Sequence, residues 1–181
     1  MTRLEAIELI NKRVTNKNLI KHMLACEACM RKLAQRFGAD EERWGLIGLL
    51  HDLDYDETVT KPEEHTLITC EILKNQGFSD VELSAIRAHA GHAERKTLLA
   101  SALYAVDPLT GLIVAATLMH PSRKLKNVDS NFVLRRYKEK NFAKGANREQ
   151  IAHCQELGLS LEEFIEICLK AMQEISGDLG L

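Results

Sequence analysis

Apolar side chains recur at helical spacing along almost the whole chain. From residue 20 to 34 they fall three or four positions, or about two helical turns, from one another on one side of a helix, and the pattern stops at Gly38; the positions are Ile20, Met23, Leu24, Met30, Leu33 and Ala34. This spacing places the apolar side chains on one face of an α-helix. No stretch shows the alternation of apolar and polar residues that is typical of a half-buried strand. The pattern therefore predicts an all-α fold, a helical bundle without strands.

Helix-start signals divide this pattern into separate helices. Ser, Thr, Asn and Asp side chains accept hydrogen bonds from the free N–H groups at a helix N-terminus, and proline is favoured at the first helical position. The predicted starts are Thr2, Asn16 or Asn18, Asp40, Pro62, Ser79, Thr97, Asp129 or Ser130, Asn147 and Ser160. The helix from Pro62 is expected to end near Gly77, and the helix from Ser79 is expected to end between His89 and Gly91.

The most apolar segment, residues 97–119, approaches the length of a membrane-spanning helix. Asp107 and Pro108 lie at its centre, and an aspartate in the middle of a span costs about 2.5–3.5 kcal/mol. We therefore interpret the segment as a buried helix of a soluble protein, interrupted at Asp107-Pro108, and expect no membrane partner. A buried carboxylate needs a partner, which makes Asp107 a candidate for chemistry.

Length and composition restrict the class of protein. A chain of 181 residues, 45% hydrophobic and 28% charged, suits one globular domain with a sizeable core. No repeat or linker divides it. The five cysteines, an odd number, and the charged residues directly after Met1 favour a cytoplasmic location over secretion.

The candidate chemistry centres on an adjacent His-Asp pair. His51 and Asp52 end an apolar helix, where Gly, Lys or Arg would be usual. A neutral imidazole nitrogen beside an anionic oxygen is a mixed ligand set that suits Mn, Fe or Zn. His22 lies on the preceding predicted helix, and Asp107 interrupts a later one. Three helices can therefore bring four ligands to one divalent ion.

The order of these residues resembles the HD superfamily of metal-dependent phosphohydrolases. The resemblance extends from about Asn18 to Leu118 and rests on His22, on Gly48-Leu49-Leu50-His51-Asp52 and on Tyr104-Ala105-Val106-Asp107. It implies one HD-type helical domain over residues 1–181, with an HD core over about 18–118 and a C-terminal helical extension over 119–181. It also implies that one divalent metal binds to His22, His51, Asp52 and Asp107.

Two further histidines extend the resemblance to binuclear members of the superfamily. His65 follows the His-Asp pair, and His89 precedes Asp107. By this resemblance Asp52 bridges two metal ions, and His65 and His89 bind the second. His92 either replaces His89 or acts as a proton donor. The expected cofactor is one or two divalent ions per chain, with Mn, Fe, Zn, Co and Ni all compatible.

Each of these residues also has an ordinary structural interpretation. Asp107 precedes Pro108, a pair that is typical of a helix N-cap. His22 taken alone is a common, partly buried histidine. Cys26 and Cys29 share a helix face with His22, which allows a closed zinc site. Buried core cysteines explain the same spacing.

A basic tract follows the predicted Asp107 helix. Between residues 123 and 144, eight Lys and Arg residues stand against two acidic ones. Arg and Lys bind phosphate oxygens through charge-assisted hydrogen bonds, so Arg135, Arg136 and Lys138 are candidate substrate-binding residues. A solvated helix face is the alternative. A pI of about 6.4 and the few aromatic residues in the tract argue against a nucleic-acid polymer as partner.

These observations predict a hydrolase of phosphate esters that uses a metal-activated water, with Asp52 and His92 as the catalytic candidates. The family resemblance implies a nucleotide or another small phosphorylated metabolite as substrate. Two alternatives stay open. One is an HD-type di-iron oxygenase, which has a similar ligand order. The other is a non-catalytic module that binds a metal or a nucleotide.

Overall fold

The structure, a computed structural model, describes residues 1–181 and contains only helices. This confirms the all-α prediction. The α-helices are α1 Arg3–Arg13, α2 Lys17–Phe37, α3 Glu41–Leu50, α4 Tyr55–Thr58, α5 Leu67–Lys74, α6 Asp80–His89, α7 Leu98–Met119, α8 Ser130–Lys138, α9 Arg148–Ala152, α10 Leu161–Glu174 and α11 Ser176–Leu179. Two short 3-10 helices cover Leu125–Asn127 and His153–Leu157.

Side-chain caps start most of the longer helices where the sequence predicts them. The side chain of Asn16, rather than that of Asn18, accepts hydrogen bonds from the first N–H groups of α2. Thr2, Ser79 and Ser160 each form a complete capping box. Gly38 ends α2 in the left-handed conformation at φ 63°, which glycine adopts without strain. Local chemistry therefore sets these boundaries.

The helix predicted from Pro62 is the clearest error. Residues 62–66 form turns, and α5 begins only at Leu67, after Thr66 in the left-handed region at φ 72°. The reason is a carboxylate from the preceding turn: Asp54 accepts hydrogen bonds from the N–H groups of Thr66 and Thr69. Asp54 thus satisfies the start of α5 from outside the helix and delays that start.

The predicted interruption at Asp107-Pro108 is also wrong, because α7 runs unbroken from Leu98 to Met119 with Pro108 inside it. Asp107 is therefore not a helix N-cap. By length and composition α7 is the one helix that could cross a membrane, but 61% of its most apolar window is buried inside the fold. Tertiary packing therefore keeps α7 helical on both sides of Pro108.

A core of 49 buried apolar residues lies between α2, α3, α6, α7 and α10. The close approach of α2 and α3 depends on Gly48: a Cβ there would lie 2.7 Å from the carbonyl oxygen of Cys26. Because His22 lies on α2 and His51 directly follows α3, this contact brings the two imidazoles together. Their ring centroids are 5.2 Å apart.

Candidate metal centre

Six side chains that the sequence singles out converge at one point of the fold. They come from α2, from the turn after α3, from the turn before α5, from the last residue of α6 and from the middle of α7. In chain order they are His22, His51, Asp52, His65, His89 and Asp107. The structure therefore brings all six predicted metal ligands together.

The Asp52 carboxylate lies between two sets of ligand atoms. Its Oδ2 is 3.6 Å from His22 Nε2 and 3.5 Å from His51 Nε2. Its Oδ1 is 3.3 Å from His65 Nε2 and 3.3 Å from His89 Nε2. We call the set around Oδ2, completed by Asp107, the first ligand group, and the set around Oδ1 the second ligand group.

The first ligand group closes through Asp107. Its Oδ1 lies 3.1 Å from His22 Nε2 and 3.9 Å from His51 Nε2. The side chains of His22 and Asp107 keep 23% and 29% of their surface exposed, while that of His51 is fully buried. The group is thus sealed on the His51 side and accessible on the His22 and Asp107 side.

The second ligand group has the spacing of a metal site. His65 Nε2, His89 Nε2 and Asp52 Oδ1 form a triangle with all three sides 3.3 Å long. Ligand atoms about 2.0–2.1 Å from one tetrahedral ion lie roughly 3.3 Å apart, so the triangle matches one face of such a site. The residues present therefore fit a divalent cation.

Hydrogen bonds orient the buried imidazoles towards this point. His51 Nδ1 donates to the carbonyl oxygen of Gly48 over 2.9 Å, and His89 Nδ1 donates to the carbonyl oxygen of Ile86. In a neutral imidazole the other nitrogen, Nε2, is then an acceptor. His51 Nε2 is fully buried and has no hydrogen-bond partner. A buried lone pair without a partner is costly, and a cation would satisfy it.

His22 and His65 are oriented in the same way by side chains. The Thr110 hydroxyl donates to the carbonyl oxygen of Asp107 over 2.9 Å, so it accepts from His22 Nδ1, which is also 2.9 Å away. His65 Nδ1 lies 2.8 Å from Asp54 Oδ1, to which it donates. All four imidazoles thus turn Nε2 towards Asp52, with Nδ1 held by an outer partner, as metal-binding histidines commonly are.

The electrostatics of the cluster favour a cation. Burial lowers the pKa of His51 to about 4, which keeps its imidazole neutral. Burial opposes ionisation of Asp52, but His51, His65 and His89 outweigh it and hold the Asp52 pKa well below its ordinary value. Burial also disfavours a charged His65, yet its hydrogen bonds to Asp52 and Asp54 raise its pKa to about 9. The carboxylates therefore remain charged and hold a proton on His65, and a cation that binds His65 Nε2 would displace that proton.

The structure does not support a zinc site built from His22, Cys26 and Cys29. Cys26 Sγ lies 3.7 Å from His22 Nε2, but the Cys29 thiol donates to the carbonyl oxygen of Cys168 on α10. All five cysteines are free and buried. Burial raises the pKa of Cys26 to about 11, which disfavours the thiolate. These residues are core cysteines.

His92 lies outside the cluster. It is exposed, and its Nδ1 is 3.4 Å from the Thr66 hydroxyl. The second ligand group contains His89 and not His92, so this placement does not support the replacement of His89 by His92 as a ligand. The role of His92 as a proton donor stays a prediction.

The predicted phosphate clamp on α8 also lies apart from the cluster. Arg136 forms hydrogen bonds with both carboxylate oxygens of Glu139, and Arg135 and Lys138 are exposed. None of the three lines any of the three clefts that contain ligand side chains. The interpretation of Arg135, Arg136 and Lys138 as substrate-binding residues is therefore not supported by their placement.

Two of these clefts expose more than one ligand side chain, and they are lined differently. One, of about 370 Å³, exposes both ligand groups and is lined by Leu19, His22, Asp52, Tyr55, His65, His89, Ala90 and Asp107. The other, of about 340 Å³, lies beside His22 and Asp107 and is closed on one side by Ala143, Gly145 and Ala146 together with Pro108 and Gly111. We call the second one the lateral cleft.

Sequence reasoning missed Asp54 and Thr110, which hold His65 and His22. Asp54 stands two residues after Asp52, so its position was a usable signal. Thr110 contacts a residue 88 positions away in the sequence, and no local pattern marks it.

Comparison with known proteins adds independent evidence. A sequence model of the HD domain family matches residues 19–116, more than half of the chain, and confirms the resemblance. Ribonuclease Y of a Nitratiruptor species is 33% identical over 94 residues, which cover 52% of this chain and 18% of that protein. Ribonuclease Y of a Sulfurovum species is 26% identical over 136 residues, which cover 74% of this chain and 27% of that protein. The chain therefore spans only about a fifth to a quarter of the length of these relatives.

Proposed function

Because this chain belongs to the HD domain family, we propose that it is a metal-dependent phosphohydrolase with a binuclear centre. The observation that carries the proposal is the position of Asp52, whose two carboxylate oxygens face two separate ligand groups. A carboxylate shared in this way is the arrangement that a bridging ligand needs.

In the proposal, His22, His51, Asp52 and Asp107 hold the first ion. Asp52, His65 and His89 hold the second. The unpartnered Nε2 of His51 and the 3.3 Å triangle of the second ligand group support this assignment. When bound, the ions supply a water acidified towards a pKa of about 7 and positive charge for the phosphoryl oxygens.

The protein side chains have distinct parts in the reaction. His51 and His89 are buried and form the rigid floor of the site, while His22 and Asp107 border the open side from which an ester reaches it. Asp54 and Thr110 keep the imidazoles in the tautomer that offers Nε2. His92, exposed beside Thr66, is the candidate that donates a proton to the leaving group.

A nucleotide or another small phosphorylated metabolite remains the proposed substrate class. The name of the relatives, Ribonuclease Y, is a reason to include RNA in the test, against the expectation of no nucleic-acid polymer. The position of Tyr55 supports a substrate that contains a nucleobase, because the exposed Tyr55 ring lines the open cleft and can stack on a planar group.

The test uses protein purified without chelators and assayed with Mn²⁺, Co²⁺ or Ni²⁺. The substrates are p-nitrophenyl phosphate, bis-p-nitrophenyl phosphate, a nucleotide panel and a short RNA. We expect metal-dependent ester cleavage that Asp52→Ala abolishes and that Asp56→Ala, which changes a half-buried carboxylate outside the cluster, retains. Cleavage by Asp52→Ala at the wild-type rate would reject the proposal. Iron-dependent oxygen consumption without ester cleavage would favour the oxygenase, and tight metal binding without turnover would favour the binding module.

A further inference from the structure

The segment that closes the lateral cleft is anchored by one arginine. The Arg148 guanidinium donates to six backbone carbonyl oxygens at 2.6–3.5 Å, those of Arg136, Tyr137, Glu139, Phe142, Ala143 and Ala146. The Tyr137 hydroxyl donates in return to the carbonyl oxygen of Arg148. The five N–H donors of Arg148 are thereby engaged. We call residues 139–147 the anchored loop.

This anchoring fixes where the N–H groups of the loop point. In a trans peptide the N–H of one residue points opposite to the carbonyl of the residue before it. The carbonyls of Phe142 and Ala143 face Arg148, so the N–H groups of Ala143 and Lys144 face away from it. Neither N–H donates a hydrogen bond within the chain. Two neighbouring donors are therefore free on the outer side of the anchored loop.

The Arg148 hydrogen bonds hold these donors in a strained backbone conformation. Ala143 has a φ of 43°, in the left-handed region that residues other than glycine rarely occupy. Successive N–H groups beside a left-handed residue form a concavity that binds anions. The six hydrogen bonds of Arg148 offset the strain at Ala143.

The concavity lies next to the metal centre. Ala143, Gly145 and Ala146 line the lateral cleft together with His22 and Asp107. A Cβ at Gly145 would have no atom within 4 Å, so the loop surface there is open. Lys140 and Lys144 border the adjoining cleft and form no ion pair, which adds positive charge.

We propose that the anchored loop binds the phosphate group of the substrate through the N–H groups of Ala143 and Lys144 and the Lys144 ammonium. Arg148 is a positioning residue that holds the loop and does not contact the substrate. This inference rests on the proposed phosphohydrolase function and transfers the phosphate-binding role from α8 to the loop that follows it.

The test measures binding of inorganic phosphate to the full chain loaded with Mn²⁺, by isothermal titration calorimetry. Lys144→Gln should weaken binding about tenfold, the loss expected for one charged hydrogen bond. Arg148→Lys keeps the charge but cannot reach six carbonyls, so we expect a loss at least as large with unchanged Mn²⁺ content. The control Lys126→Gln changes an exposed lysine of the same tract, away from both clefts, and should stay within twofold of wild type.

The outcomes separate this inference from the proposed function. Failure of wild type to bind Mn²⁺ would reject the metal centre and the inference together. Binding of Mn²⁺ without phosphate, or phosphate affinities of Lys144→Gln and Arg148→Lys within twofold of wild type, would reject the anchored loop alone. If Arg148→Lys loses helical content, Lys144→Gln decides the question.

Discussion

Asp54→Asn removes a negative charge from the carboxylate behind His65 while it preserves the size and shape of the side chain. Asp54 is fully buried and accepts from His65 Nδ1, from the Thr66 N–H and from the Thr69 N–H at 2.8–3.1 Å. Burial disfavours its ionised form, but these hydrogen bonds outweigh it and lower the Asp54 pKa. These donors use both oxygens of the Asp54 carboxylate, whereas an asparagine side chain has only one acceptor oxygen.

Either orientation of the asparagine amide harms the site. With its oxygen towards His65, its NH₂ faces the Thr69 N–H, and a buried donor without an acceptor costs about 1–3 kcal/mol. With its oxygen towards Thr69, its NH₂ faces His65 and favours the tautomer that carries the proton on Nε2. In both cases His65 loses its carboxylate partner. Such outer partners contribute about 10–100-fold to metal affinity, or about 1.4–2.7 kcal/mol.

We therefore expect Asp54→Asn to weaken binding of one Mn²⁺ per chain by about 10–100-fold and to leave the other unchanged, measured by titration calorimetry. The matched control is Asp56→Asn. Asp56 also accepts from two backbone N–H groups, those of Thr15 and Asn16, but lies away from the cluster. Two sites of wild-type affinity in Asp54→Asn would refute the role assigned to this carboxylate.

Three further predictions test the fold around the site. Gly111→Ala should raise the melting temperature, measured by circular dichroism, by about 2–4 °C. The reason is that a Cβ at this position meets no atom within 4 Å and that alanine is about 1 kcal/mol more favourable than glycine in a helix. A lower melting temperature would contradict this open environment. Gly48→Ala should lower the free energy of unfolding, measured with urea, by about 1–3 kcal/mol and should reduce the metal content, because the added Cβ meets the Cys26 carbonyl. Unchanged values of both would show that α2 and α3 can move apart without cost. Burial disfavours the ionised form of Glu82, but hydrogen bonds from Arg43 and Ser79 outweigh it and lower the Glu82 pKa. The contribution of Glu82 to the stability of the fold is therefore complete above its unfolded pKa of about 4.3 and is lost as the pH falls through its lower folded pKa. The stability difference between wild type and Glu82→Gln should thus shrink below about pH 4, and a constant difference would contradict this.

Features coded by neighbouring residues could be predicted from the sequence. The capping boxes at Thr2, Ser79 and Ser160 each involve residues three positions apart, so a local pattern identifies the helix start. The six candidate ligands followed from residue type and order, since an HD resemblance fixes which helices must meet. The sequence could thus indicate the members of the cluster but not its distances.

Features set by distant contacts could not be predicted. The start of α5 depends on Asp54, which lies 12 residues before Thr66. Pro62 looks like a helix start because nothing local reveals that carboxylate. Likewise α7 passes through Pro108 because packing outweighs the missing hydrogen bond. The charge of α8 suggested a phosphate clamp, but Arg136 is occupied by Glu139, and the carbonyl partners of Arg148 become visible only in three dimensions.

The most direct test of the binuclear centre is the metal content of protein purified without chelators, measured by plasma mass spectrometry. We predict about two ions per chain in wild type, about one in His65→Ala and in His89→Ala, and none in Asp52→Ala. Circular dichroism should show that all three variants keep their helical content, because the fold rests on its apolar core. Equal metal content in wild type, His65→Ala and His89→Ala would contradict the second ion, and wild-type content in Asp52→Ala would contradict the centre as a whole.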